Sequence, residues 1–102
     1  MDSWIRICSL NELAPGTCRE VVAGTRLVAL FNVDGQVHAL DGVCPHQGGP
    51  LGKGKLCGAV VTCPWHGWQF DVRTGQHQIS PAIRQPTIPV RVENGDVFVH
   101  CE

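Results

Sequence analysis

Turn dipeptides cut this chain into pieces too short for long helices. Asp34-Gly35 and Asn94-Gly95 each stand between apolar-rich runs. Both pairs suit a two-residue hairpin turn, where both positions take positive φ. Arg26 to Val33 leads into the first turn and Gln36 to Leu40 leads out. Thr87 to Glu93 and Asp96 to His100 flank the second in the same way. Arg73-Thr74-Gly75 closes a further hairpin after Gln69 to Val72, and Gly24-Thr25 separates Cys18 to Ala23 from Arg26. Trp4 to Cys8 and Gly58 to Thr62 complete the strand-like runs. One stretch differs: Ser9 caps a short helical turn with Glu12 three residues on, and Ala14-Pro15-Gly16 stops it. Many short strands joined by tight turns predict an all-β fold, an antiparallel sandwich or small barrel.

The length of 102 residues predicts one domain spanning 1–102, with a modest core. A formal net charge of −1 with no basic stripe argues against a nucleic-acid partner. It gives no sign of an anionic membrane surface either. The longest mainly apolar stretch, Leu27 to Val33, is too short to span a bilayer. The opening, Met1-Asp2-Ser3-Trp4-Ile5-Arg6, has no basic start followed by an apolar run, so a cytoplasmic location is expected. There the six cysteines are expected as reduced thiols or metal ligands.

Two segments break the strand pattern. Cys44-Pro45-His46-Gln47-Gly48-Gly49-Pro50 reads "CPHQGGP", and Cys63-Pro64-Trp65-His66-Gly67-Trp68 reads "CPWHGW". The spacing is C-x-H, sixteen residues, then C-x-x-H. Each segment is a loop rich in Pro and Gly, and a strand aims each at the same end of the sheet. Chance is one reading of the pairing. A structural zinc site is a second, although zinc ligands group as C-x₂₋₄-C and H-x₃₋₅-H, whereas each loop here mixes Cys with His. A Rieske-type [2Fe–2S] centre is the third: two thiolates on one iron and two imidazoles on the other, so each loop delivers one ligand of each kind. Glycines admit close approach of backbone N–H groups to sulfide, and prolines restrict loop motion.

The segments "CPHQGGPLGKG" and "VTCPWHGWQFDVRTG" resemble the two ligand loops of the Rieske ferredoxins, particularly those serving bacterial ring-hydroxylating dioxygenases. The likeness extends over almost the whole chain. It implies a β-sandwich with a small cluster-binding subdomain at about 42–79, formed by the two ligand loops. It also implies that Cys44 and Cys63 ligate the inner iron of a [2Fe–2S] cluster, and that His46 and His66 ligate the outer one.

The high-potential Rieske proteins of respiratory complexes are less similar. They carry an extra Cys in each loop, joined as a disulfide; Gly49 and Trp65 stand at the matching positions here. They also carry a Ser and a Tyr whose hydroxyls donate to cluster sulfur, where this chain has Trp68 and Phe70. Hydrogen bonds to sulfur stabilise the reduced cluster, so their loss predicts a midpoint near the low end of the Rieske range, about −150 mV.

Other residues have plainer expectations. Cys8, Cys18, Cys57 and Cys101 are expected as small buried hydrophobes. His38 and His100 lie in strands, where packing or surface roles are expected, and His77 follows a turn and is expected to be solvated. Lys53 and Lys55 are either solvated or available to an acidic partner. Ser80-Pro81-Ala82 resembles the family's third loop, which covers the cluster. Trp65 and Trp68 either pack under the loops or lie at a docking face.

The resemblance implies a one-electron carrier that takes electrons from a flavin-dependent reductase and passes them to a terminal oxygenase, docking transiently near His46 and His66. No catalysis by this chain alone is expected: Rieske oxygenases add a mononuclear iron site in a second, large domain. The small subunit of an assimilatory nitrite reductase shares the fold and is the redox alternative. A zinc-stabilised binding module is the non-redox alternative.

Overall fold

A computed structural model describes residues 4–44, 48–65 and 67–100. Among the described residues the fold is all-β, as expected, in three antiparallel sheets of three strands each. The first sheet has the order β1-β9-β8, from β1 (Trp4–Ser9), β8 (Val90–Glu93) and β9 (Asp96–His100). The second is β2 (Cys18–Ala23), β3 (Arg26–Val33) and β4 (Gln36–Asp41), in that order. The third is β5 (Lys55–Cys57), β6 (Val60–Thr62) and β7 (Gln69–Asp71).

The hairpin turns form where the dipeptides place them. Asp34 and Asn94 adopt φ of 52°, followed by Gly35 at 92° and Gly95 at 80°. Ser9 caps a 3-10 turn at Leu10–Glu12 with the expected reciprocal pair: Ser9 Oγ accepts from the Asn11 N–H, and Glu12 Oε2 accepts from the Ser9 N–H. Buried Asn32 ties this region to the β3–β4 turn. Its Nδ2 donates to the Leu13 carbonyl at 2.7 Å, and its Oδ1 accepts from the Gly35 N–H at 2.7 Å.

β3 explains the layering. Its central residues, Val28 to Asn32, are all buried, because successive strand side chains point to opposite faces and both faces here are covered. Val28 and Leu30 join Cys8, Leu13, Val97 and Val99 in a core between the first and second sheets. Ala29 and Phe31 join Leu51, Val61, Phe70 and Val72 in a second core, between the second sheet and the third. In β4 the split repeats, with Ala39 in the first core and Leu40 in the second. Truncating a fully buried Phe such as Phe31 to Ala costs about 3–5 kcal/mol.

The structure departs from the sequence expectation at three edges. The run expected at 58–62 is a strand only over Val60–Thr62, because Gly58, at φ 60°, turns the chain back to β5, which has no strand signature of its own. The run from Thr87 is interrupted: Thr87 makes an isolated bridge to Leu40, and the strand resumes at Val90 after Pro89. The hairpin at 73–75 returns irregularly, with single bridges from Phe70 to His77 and from Gln76 to Arg84.

Candidate metal centre

The two Cys/His loops leave the sheets at neighbouring places and close in the same way. The Cys44 N–H donates to the Gly49 carbonyl at 2.8 Å, and the Cys63 N–H donates to the Trp68 carbonyl at 2.8 Å. In each loop the closing carbonyl therefore lies five positions after the cysteine. The first is gripped lower down by the Leu51 N–H, which donates to the Gly42 carbonyl at 3.0 Å, and by a bridge between Val43 and Pro50. The second runs directly out of β6 and back into β7.

Both cysteines point inward. Cys44 and Cys63 are thiols, buried, and members of the second core together with Leu51, Val61 and Phe70. The loops meet closely: a Cβ on Gly49 would lie 2.7 Å from Cys63 Sγ and 3.0 Å from Trp65 Cβ. One thiol from each loop, converging in an apolar setting, suits the sulfur side of a [2Fe–2S] group, which needs two thiolates on one iron. The imidazole side rests on His46 and His66, which lie outside the described residues.

A third loop lies alongside the second. His77 is not solvated as expected but half-buried, with its ring edge-on to Trp68 (centroids 4.8 Å apart) and to Phe70 (5.3 Å). Its Nδ1 accepts from the N–H groups of Ile79 and Ser80 at 3.1 and 3.0 Å, so the ring serves as a cap for the turn that carries Ser80-Pro81-Ala82. The Gln76 side chain pins the same turn by donating to the carbonyls of Ser80 and Ile83. A cleft of about 370 Å³ opens between the loops, lined by Trp68, Gln69, His77, Ile79, Ser80 and Ile83 among others. Ile79 is 87% exposed at its edge. The two tryptophans divide the expected roles, since Trp65 is largely exposed while Trp68 packs against Phe70 and His77.

The remaining cysteines follow the plain expectation only in part. Burial pushes the Cys8 thiol up, and burial likewise raises Cys18, whose thiol donates to the Gly54 carbonyl at 3.1 Å. Both are thereby held as unreactive thiols. Cys57 is exposed in the β5–β6 hairpin, contrary to expectation, because this short hairpin has an open outer face. Cys101 lies outside the described residues. Lys53 sits 3.6 Å from Glu20 in an exposed ion pair, so it is partly neutralised within the chain.

Gln85 and His77 are the site residues the motif reading did not single out for positioning. Gln85 has no local sequence signal, since its side chain donates to the carbonyls of Asp41 and Val43, more than forty positions away. His77 caps its own turn locally, but its packing on Trp68 and Phe70 is created by the fold.

Comparison with known proteins agrees with this geometry. Residues 3–97 match the Rieske [2Fe-2S] domain. Ferredoxin CarAc of Metapseudomonas resinovorans is 35% identical over 101 residues, covering 97% of this chain and 94% of that protein. Apoptosis-inducing factor 3 of Homo sapiens is 38% identical over 96 residues, but the chain spans only 16% of its length. Among solved structures, a complex of reduced oxygenase and oxidized ferredoxin in carbazole 1,9a-dioxygenase includes a similar chain. That chain has a TM-score of 0.88 at 33% identity, covering 98% of this chain and 94% of that one. A putative NADH-dependent nitrite reductase small subunit from Mycobacterium tuberculosis matches with a TM-score of 0.89 at 28% identity, covering 100% and 97%. The family match sets aside the zinc module and the chance pairing, and two converging thiol loops on a three-sheet β fold are its structural counterpart: this chain belongs to the Rieske [2Fe–2S] family.

Proposed function

We propose that this chain is a soluble one-electron carrier of the cytoplasm, a single domain over 1–102 with its cluster subdomain at about 42–79. In this reading Cys44 and Cys63 hold one iron through thiolates, and His46 and His66 hold the other through imidazoles. The cluster, when bound, takes up and releases one electron at a time. The observation that carries the reading is the matched closure of the two loops, which buries one thiol from each in the same core. The chain is the transfer component of a larger system and performs no catalysis alone, in line with relatives named as ferredoxin components of dioxygenase systems.

The partners in this reading are a flavin-dependent reductase and a terminal oxygenase, each docking transiently near His46 and His66. Support comes from the solved oxygenase–ferredoxin complex and from the surface around the loops. Residues 42–52, 56–70 and 75–83 contain no Asp, Glu, Lys or Arg. Exposed Trp65 stands in the second loop and exposed Ile79 in the third, with the cleft beside Ile79. Such a face suits small, apolar encounters of the kind redox partners make. No helix among the described residues is long and apolar enough to cross a membrane.

A nitrite reductase small subunit is the second reading, favoured by the Mycobacterium tuberculosis structure. Two measurements decide. The purified protein is expected to show a Rieske visible spectrum and, after dithionite, the matching EPR signal. A colourless protein holding one zinc overturns the carrier reading. Stopped-flow oxidation of the reduced protein by a terminal dioxygenase, compared with a nitrite reductase large subunit, then separates the two systems.

A further inference from the structure

We infer that Gln85 is a positioning residue for the first cysteine loop, acting through the Asp41 and Val43 carbonyls on the segment that enters Cys44. The inference rests on the proposed ligation by Cys44.

After the third loop the chain runs back along the open edge of β4. The Ile88 N–H donates to the Ala39 carbonyl and the Asp41 N–H to the Pro86 carbonyl, each at 2.9 Å. This main-chain ladder stops at Asp41, two residues short of the loop. The Gln85 side chain continues it. Its Nε2 donates to the Asp41 carbonyl at 2.6 Å and to the Val43 carbonyl at 2.7 Å. A primary amide nitrogen has two hydrogens, and both are used. On its other side, the same segment is held by Leu51 and Gly49 through Gly42 and Cys44. The backbone entering Cys44 therefore has partners on both edges, and Gln85 supplies one edge.

Gln85 is itself fixed from the side of the second loop. Its N–H donates to the Gly75 carbonyl at 2.7 Å, and the Gly75 N–H donates to the Asp71 carbonyl of β7 at 2.7 Å. Gly75, at φ 81°, sits so close that any Cβ there would overlap the Gln85 carbonyl. β7 is the strand into which the second loop descends. A continuous path thus joins Val43 to Gln85, to Gly75, to Asp71, linking the base of the first cysteine loop to the far end of the strand that follows the second. Gln85 is 2% exposed, so bulk water does not compete for its amide in the folded chain. A buried carbonyl left without its donor is destabilising, and here the loss falls one residue from Cys44.

A plain packing role predicts something else, and Asn32 provides the comparison. It too is 2% exposed and makes two buried hydrogen bonds, but to Leu13 and Gly35 in the other part of the fold. The test uses cluster-loaded wild type, Gln85→Leu, Gln85→Asn and Asn32→Leu. EPR g-values after dithionite and the rate of visible bleaching are read well below each melting temperature. We expect both Gln85 variants to shift or broaden the g-values and to bleach at least about tenfold faster, tenfold being the ratio for the loss of a single such donor. Asn32→Leu is expected to melt earlier yet keep wild-type g-values and bleaching. The inference is overturned if the Gln85 variants match wild type in both readouts, if Asn32→Leu changes as much as they do, or if neither Gln85 variant folds. A wild-type protein with no [2Fe–2S] signal instead overturns the cluster reading, and this inference with it.

Discussion

Gly49 lies against the sulfur of Cys63, so close that a Cβ at Gly49 would come within 2.7 Å of Sγ. The contact joins the two loops at their bases, where each is closed by its own hydrogen bond. The first loop has no spare volume there, and the side chain at this position is effectively chosen by the cysteine opposite. Gly49→Ala is expected to push the loops apart, at a cost of about 1–3 kcal/mol for overpacking. The measurable result is a lower iron content per chain and a weaker visible band, with the far-ultraviolet circular dichroism unchanged. Full iron loading in the variant contradicts the proposed convergence of the loops.

The midpoint potential is expected near the low end of the Rieske range, about −150 mV. Trp68 and Phe70 stand where hydroxyl donors to sulfur would raise it, and Phe70 is fully buried among apolar side chains. Protein-film voltammetry checks this. A midpoint above about +100 mV, in the upper part of that range, removes the argument from missing hydroxyls.

His38 is expected to make the fold acid-sensitive. Burial first, and the nearby Arg73 second, hold its imidazole below the ordinary value of 6.5, while Asp71 opposes them. Its Nε2 is buried with no hydrogen-bond partner among the described residues. The unfolded chain therefore takes up a proton near pH 6.5 that the folded chain takes up only at lower pH. Stability from this group is complete above 6.5 and is lost as pH falls from there to the folded value. The loss is at most about 1.4 kcal/mol per pH unit. Urea midpoints measured from pH 7.5 to 5.5 are expected to fall in wild type and to fall less in His38→Phe. Equal slopes refute the assignment to His38.

Ile79 is expected to matter for partner encounters and for nothing inside the fold. Fully covering such a side chain is worth about 1.5–3 kcal/mol. Ile79→Ser is expected to raise the concentration needed for half-maximal electron delivery about tenfold, while the midpoint potential and melting temperature stay at wild-type values. Because the surrounding loops carry no formal charge, delivery is expected to change little between low and high salt. A steep salt dependence places docking elsewhere, on the charged part of the surface.

Much of the fold was legible because turn chemistry is local. Asp34-Gly35, Asn94-Gly95 and the Ser9–Glu12 capping box each depend on neighbouring residues, and each forms as the sequence reads. The two cysteines were legible for a similar reason, since a short spacing between unlike ligands has few uses. What escaped were features with distant causes. β5 is a strand only because β6 lies beside it, and His77 is packed only because Trp68 and Phe70 fold under it. The role of Gln85 spans more than forty positions to reach Asp41 and Val43. Cys57 shows the reverse error: its strand is real, but a three-residue strand at the rim buries little of what it carries.

β3 serves two interiors at once, Val28 and Leu30 facing one and Ala29 and Phe31 the other. It acts as a party wall between two rooms. The metal-bearing end cannot be cut away as an independent miniature, because the wall it leans on would be stripped on one side. Damage travels the opposite way too. When the remote sheet of β1, β8 and β9 melts, the wall loses its backing, so colour at the tip goes in that same transition and not before it.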